Sequence, residues 1–165
     1  MPPFIIDEKK SKLVVMARSK VHDTTLVWTG VRGSIEADLS DLSATRSDIT
    51  VDMSTGDAGD WVKNRKLRKE LNFEKNPSAS FALESIGDLQ HTGDSVSATL
   101  KGKLSWRGKT IDVSVQTQGT LNESSLVVSG KFDIDMTLLG IKAPKVLMIK
   151  IDDVVNCEIA IHAAR

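Results

Sequence analysis

Apolar and polar residues alternate along most of this chain, and this period-two pattern restricts its fold more than any other feature. Ile111, Val113 and Val115, for example, are separated by polar residues. A strand with this pattern buries one face and leaves the other in water, which is typical of antiparallel sheets. About eight such segments, separated by short turn sequences, predict a mainly β protein that forms a barrel or a sandwich.

One segment, residues 57–71, lacks the alternation and is rich in helix-forming residues. Its apolar side chains recur at roughly helical spacing, Asp57 or Asp60 can cap its start, and Pro77 stops any continuation. The sequence therefore predicts one α-helix near residues 57–71, which we expect to lie over one opening of a barrel.

A second irregular stretch, residues 138–148, is apolar but is interrupted by Gly140 and Pro144. These two residues argue against one regular strand. We expect this stretch either to pack against the barrel or to form a rim around an apolar opening.

Length and composition narrow the class of protein. The 165 residues predict a single domain spanning 1–165, which is long enough to bury a sizeable core. Lys plus Arg and Asp plus Glu number 22 each, so no overall field attracts nucleic acid or an anionic membrane. No apolar run approaches the roughly 20 residues of a membrane span, and the start has no secretory pattern. We therefore expect a cytoplasmic protein without a membrane span.

The inward-facing apolar residues allow two interpretations. They either line a cavity or fill the barrel, because an eight-stranded barrel has the size at which both outcomes occur. Aromatic residues make up only 4% of the chain and tyrosine is absent, which favours leftover space. The candidate lining residues are Leu13, Val15, Trp28, Phe81, Leu104, Val113, Val128, Phe132 and Met136.

The predicted helix is strongly basic. Five of the seven residues in 63–69 carry positive charge, Arg65 and Arg68 among them. Such a cluster can attract the phosphate or carboxylate head of a ligand whose tail enters the barrel. The alternative is a solvated helix face that is partly balanced by Glu70 and Glu74.

Several short motifs occur in a characteristic order. They are Leu67-Arg68 in the helix, the spacing of Phe73, Pro77 and Phe81, the turn around Leu104, Arg107, Gly108 and Thr110, and Asp152-Asp153-Val154 before the last strand. Together they resemble the YceI-like family, although Lys10 stands where the family usually has histidine. The resemblance implies a single antiparallel lipocalin-like β-barrel that binds a polyisoprenoid, a fatty-acid derivative or another long-chain amphiphile without catalysis and without a cofactor.

The resemblance also places the parts of a ligand site. The barrel interior would hold the tail of the ligand. The mouth and head-group candidates are Arg65, Arg68, Leu139, Ile141 and Leu147.

Two other functions stay open at this point. The barrel could be fully packed and act as an interaction module or homodimer through residues 138–148, so that Leu139→Asp or Leu147→Asp would break the oligomer. An unfamiliar enzyme could use His22 and Asp23, although no nucleophile, base and orienting group can be assembled. Asp133 and Asp135 point the same way along one strand, as the two carboxylates of a glycosidase would. They fall on the polar outer face, however, where such pairs are usually exposed to solvent.

Metal and thiol chemistry have little support in the sequence. The three histidines His22, His91 and His162 are scattered, whereas a metal site needs clustered ligands. The single cysteine, Cys157, lies on the apolar face of the last strand and is expected to be a small core residue.

Overall fold

The computed structural model describes residues 2–20, 23–141, 145, 146, 149, 150 and 152–165. Within these residues it contains one α-helix, α1 (Trp61–Leu71), and two short 3-10 turns, Met53–Thr55 and Met136–Leu139. The strands of the same ranges are β1 (Phe4–Ile6), β2 (Lys12–Ala17), β3 (Thr24–Trp28), β4 (Val31–Asp38), β5 (Asp41–Asp52), β6 (Ser78–Thr92), β7 (Ser95–Trp106), β8 (Lys109–Leu121), β9 (Ser125–Asp135), β10 (Lys145–Val146), β11 (Ile149–Lys150) and β12 (Val154–Ala164).

Eight of the described strands close into an antiparallel barrel, which confirms the predicted fold class. They follow the order β1, β4, β5, β6, β7, β8, β9 and β12, and β12 pairs back to β1. The strands β2 and β3 continue from β12 as a hairpin. Closure leaves one inner face, and the alternating apolar residues of the strands cover it.

The barrel closes at β12, which pairs with β2 along its first part and with β1 near its end. Ser11 lies between these two strands and is buried. Its Oγ accepts a hydrogen bond from the backbone N–H of His162 at 3.0 Å, and the backbone N–H of Asp7 donates to the carbonyl of His162 at 2.7 Å. These bonds occupy backbone groups of His162 that neither β1 nor β2 pairs.

The ladder between β5 and β6 is short. It runs only from Asp48 opposite Ala82 to Asp52 opposite Ser78. Beyond Asp48 and Ala82 the two strands continue without pairing to each other. The barrel wall therefore opens on this side.

Gly87 and Asp88 are residue types that favour turns, yet both lie inside β6. Asp88 has a φ of 50°, and the register with β7 shifts between Gly87 and Gln90. The left-handed residue therefore produces a β-bulge in a long strand and does not reverse the chain.

The helix is shorter than predicted at its start. Asp57 is extended and forms a bridge with Val27, with backbone hydrogen bonds of 2.9 and 2.8 Å. Asp60 is the N-cap, and its carboxylate accepts from the backbone N–H of Lys63 at 2.8 Å. The helix therefore begins at Trp61 and not at 57, and it ends at Leu71, with the left-handed Asn72 as its C-cap.

The apolar stretch 138–148 begins at the surface, where Leu138 is 58% exposed, and then turns inward. Leu139 ends a 3-10 turn and is 3% exposed, and Gly140 follows with a φ of 74°. Ile141 is also buried. This part of the stretch packs against the barrel, whereas Leu147 lies outside the described residues.

Candidate functional site

The barrel encloses an apolar cavity of about 270 Å³. All nine residues predicted from the sequence as inward-facing lie on its wall. The polar side chains of the described wall are uncharged, and they come from Thr24, Thr45, Ser47, Ser80 and Thr117. No charged residue of the described chain lines the cavity, so the space suits a hydrocarbon group.

The interior is hollow and not packed. Leu13, Phe81, Leu104, Val128 and Phe132 point inward, yet each is only partly buried. In a closed barrel, such residual accessibility means that these side chains border open space. The low aromatic content gives the reason, because modest aliphatic side chains do not reach across the barrel.

One end of the cavity is closed by α1 and the segments around it. Leu67 and Leu71 on the inner face of the helix, together with Leu139 and Ile141, form this end of the wall. Arg107 holds the C-terminal end of the helix, because its guanidinium donates to the carbonyl of Leu71 at 2.7 Å. This end is therefore a packed lid.

At the opposite end of the barrel, Arg165 joins three segments of the chain. The guanidinium of Arg165 lies 4.0 Å from the centre of the Phe4 ring and donates to the carbonyls of Pro2 and Glu123. Leu121 and Leu126 are buried on the cavity wall beside it.

The exposed part of the wall lies on the side, where β5 and β6 separate. Leu83, Ile86 and Leu89 of β6 line the cavity, and Leu89 is 38% exposed. Ser47 of β5 faces the cavity next to the last paired residue, Asp48. We call this gap the lateral opening.

The structure separates the five predicted mouth residues. Leu139 and Ile141 lie on the cavity wall, whereas Arg65 and Arg68 are exposed on α1 and lie outside the wall. Leu147 lies outside the described residues. The role of all five in ligand binding stays a prediction.

Sequence reasoning missed the lateral opening. Its signal is the three-residue spacing of Leu83, Ile86 and Leu89, which departs from the two-residue period of a regular strand. Two bulges in β6 keep all three side chains on the inner face despite that spacing. A stretch of period three inside a predicted strand thus marks a bulged strand.

The alternative chemical sites have structural partners. Asp133 accepts a hydrogen bond from the Asn156 amide at 2.7 Å, and Asp135 caps the 3-10 turn through the backbone N–H of Thr137 at 3.0 Å. Within the described ranges, no group of three or more His, Cys, Asp or Glu residues is placed to hold a metal ion. His22, the base of the enzyme hypothesis, lies outside those ranges.

Cys157 is buried on the cavity wall, and its thiol is strongly perturbed. Burial, with a smaller contribution from the charge of Asp133, raises the pKa of the Cys157 thiol to about 12. An unfolded thiol ionises near pH 8.5, so only the unfolded chain releases this proton between about pH 8.5 and 12. The contribution of Cys157 to stability is therefore fully present below pH 8.5 and decreases as the pH rises through this window.

We expect the free energy of unfolding of the native sequence to fall more steeply above pH 9 than that of Cys157→Val, by up to about 1.4 kcal/mol per pH unit. Urea titrations of both proteins at several pH values measure the difference. Equal slopes for the two proteins would contradict the raised pKa.

The family follows from a comparison of the sequence with family models. The model described as YceI-like domain matches residues 4–163, which is nearly the whole chain. The chain belongs to the YceI-like family. A comparison with curated protein sequences found no match.

Solved structures share this YceI-like fold at low sequence identity. BcnA of Burkholderia cenocepacia has a TM-score of 0.82 at 18% identity, and the match covers 96% of this chain and 99% of BcnA. A polyisoprenoid binding domain from Saccharophagus degradans, implicated in plant cell wall breakdown, has a TM-score of 0.80 at 15% identity, with 98% and 97% coverage. The YCEI protein of Campylobacter jejuni has a TM-score of 0.66 at 13% identity, with 85% and 84% coverage.

These comparisons agree with the barrel fold. In the described parts of this YceI-like chain, no helix is long and apolar enough to cross a bilayer.

Proposed function

We propose that this YceI-like protein binds, without catalysis, an apolar chain such as an isoprenoid or a fatty-acid derivative inside its barrel. The observation that carries the proposal is the enclosed cavity of about 270 Å³ whose described wall has no charged residue. The family and the similarity to a polyisoprenoid binding domain support the same class of ligand.

The cavity volume sets the length of the enclosed chain. A dry apolar cavity of about 150 Å³ holds one benzene, so a cavity of about 270 Å³ holds about ten carbons. Each buried methylene contributes about 0.8 kcal/mol, which gives about 8 kcal/mol before the costs of association. A longer chain would extend outward through the lateral opening.

The wall also favours an uncharged polar group on the ligand. Among the described residues, Ser47 Oγ is the one buried side-chain oxygen or nitrogen without a hydrogen-bond partner. Since Ser47 lines the cavity, we infer that another χ1 rotamer turns this hydroxyl toward the ligand, where it pairs with an alcohol, ketone or ester oxygen. A carboxylate or phosphate at this position would lack a cation and stay desolvated.

The direct test compares two ligands with the same tail. We expect 1-decanol to bind in calorimetric titrations at pH 8 and decanoate to bind at least about tenfold more weakly, because the wall offers no positive charge. Ser47→Ala is expected to weaken decanol binding, whereas Ser43→Ala, an exposed hydroxyl on the same strand, leaves it unchanged.

Native mass spectrometry of freshly purified protein, with solvent extraction, identifies any species that co-purifies. Failure to bind decanol, together with a bare mass, would overturn the binding proposal. A stable dimer in the same spectra would favour the interaction module, although Leu139 is too buried to form its contact surface.

A further inference from the structure

The outer face of α1 combines exposed apolar and basic side chains. Trp61 is 71% exposed and Val62 is 43% exposed. Arg65 and Lys69 follow at spacings of four residues from Trp61, so the three side chains share one side of the helix, and all are exposed. We call Trp61, Val62, Arg65, Arg68 and Lys69 the helix patch.

The helix patch carries unbalanced positive charge in a chain that is neutral overall. The helix holds five cations and one acid, Glu70. In the part of the chain that the structure describes, Lys63 is the one helix cation in an ion pair, with Asp60 at 4.0 Å. Arg68 and Lys66 also act electrostatically on the carboxylates of Asp57 and Glu70. The charges of Arg65 and Lys69 are therefore the ones most available to a negatively charged partner.

The position of the patch relates it to the cavity. Leu67 and Leu71 on the inner face of α1 line the cavity, while the helix patch lies on the outer face of the same helix. Only the thickness of α1 therefore separates the cavity from a surface that contacts the helix patch.

We propose that the helix patch docks on an anionic lipid surface. Tryptophan favours the boundary between lipid headgroups and acyl chains, since its ring is apolar and its N–H is polar. Each nearby Lys or Arg adds attraction to a surface of anionic lipids. A helix face that combines an exposed tryptophan with cations suits a fluid anionic lipid surface better than the shaped contact of an acidic protein.

This inference goes beyond ligand binding and does not depend on it. In this proposal Arg65 and Arg68 contact lipid phosphates in the membrane, whereas the sequence interpretation paired them with the head group of a ligand in the barrel. A docked patch would place the cavity one helix away from the lipids in which long-chain amphiphiles dissolve.

The test uses the full chain and vesicles of phosphatidylcholine with or without 30% phosphatidylglycerol, roughly the anionic content that attracts basic segments. We expect flotation with the anionic vesicles, little with the neutral ones, and loss of binding at high salt because salt screens surface charge. Trp61 emission should shift to shorter wavelength on binding. Trp28 and Trp106 are buried and should not respond.

Matched variants decide whether the patch is responsible. Arg65→Glu/Lys69→Glu is expected to reduce vesicle binding more than about tenfold, since two cations near the surface contribute about that much or more. Lys101→Glu/Lys131→Glu makes the same change of charge at exposed strand positions and should have little effect. Trp61→Ala should also weaken binding, with unchanged circular dichroism.

Three results would overturn the proposal. These are equal loss in both double variants, equal binding to neutral vesicles, or binding to soluble polyglutamate as tight as to anionic vesicles with no shift of Trp61 emission. The last result would assign the patch to an acidic protein. Arg65→Glu/Lys69→Glu should still bind decanol, because the substitutions leave the cavity unchanged. Decanol binding therefore tests the function of the cavity separately from membrane docking.

Discussion

Replacing Val128 with tryptophan is expected to abolish decanol binding while the barrel stays folded. Val128 lies on the cavity wall and is only partly buried, because its side chain borders the open space. An indole at this position occupies room that the ligand needs. Blocking even two methylenes of ligand, at about 0.8 kcal/mol each, weakens binding more than tenfold. Calorimetric titration with decanol measures the loss.

The adjacent residue provides the control. Val127 lies on the opposite face of the same strand and is 38% exposed, so Val127→Trp adds the same side chain to the outer surface. It should bind decanol like the native sequence. Thermal unfolding checks that Val128→Trp is folded, because overpacking of a core costs about 1–3 kcal/mol. Native decanol affinity in a folded Val128→Trp would contradict binding inside the barrel.

Truncating Trp28 to alanine is expected to cause the largest loss of stability. Trp28 is buried on the cavity wall, and its Nε1 donates to the carbonyl of Met53 at 3.1 Å. Its ring packs so closely on Gly56 that a Cβ there would lie 2.7 Å from Nε1. The indole thus ties the β2–β3 hairpin to the turn that leads into the helix. Its removal should cost about 3–5 kcal/mol, a large part of the 5–15 kcal/mol of a typical domain.

Two further variants separate the causes of that loss. Trp28→Phe keeps a ring but leaves the Met53 carbonyl only the longer hydrogen bond from the backbone N–H of Gly56, at 3.3 Å, so a cost of about 0.5–1.5 kcal/mol is expected. Trp61→Ala removes an exposed tryptophan and should change stability by about 0.5 kcal/mol or less. Urea unfolding followed by circular dichroism measures all three, independently of the lost fluorescence. A similar effect of Trp28→Ala and Trp61→Ala would contradict the anchoring role.

The inner wall could be predicted from the sequence because strands have a fixed period of two. Once one residue of a strand faces inward, its alternate neighbours do as well, and Leu13, Val113 and Phe132, which this period places inward, lie on the cavity wall. Their role in binding a ligand stays a prediction. Period two is lost at bulges, so the contributions of Ile86 and Leu89 were missed. The helix start was ambiguous because Asp57 and Asp60 are both good caps, and only the bridge of Asp57 to Val27 decides between them.

The sequence by itself determined the antiparallel strands, the position of the helix, the apolar inner face and, through the order of its motifs, the family. The tertiary structure decided whether the interior is filled or hollow, because that depends on the summed side-chain volumes across the closed barrel and not on any one strand. It also decided where the wall opens. The pairing of β5 with β6 ends at Asp48 and Ala82, and no local sequence pattern encodes the point at which the two strands separate. Finally, it assigned the cations of α1 to the outer surface, because Leu67 and Leu71 bury the opposite face of the helix against the cavity.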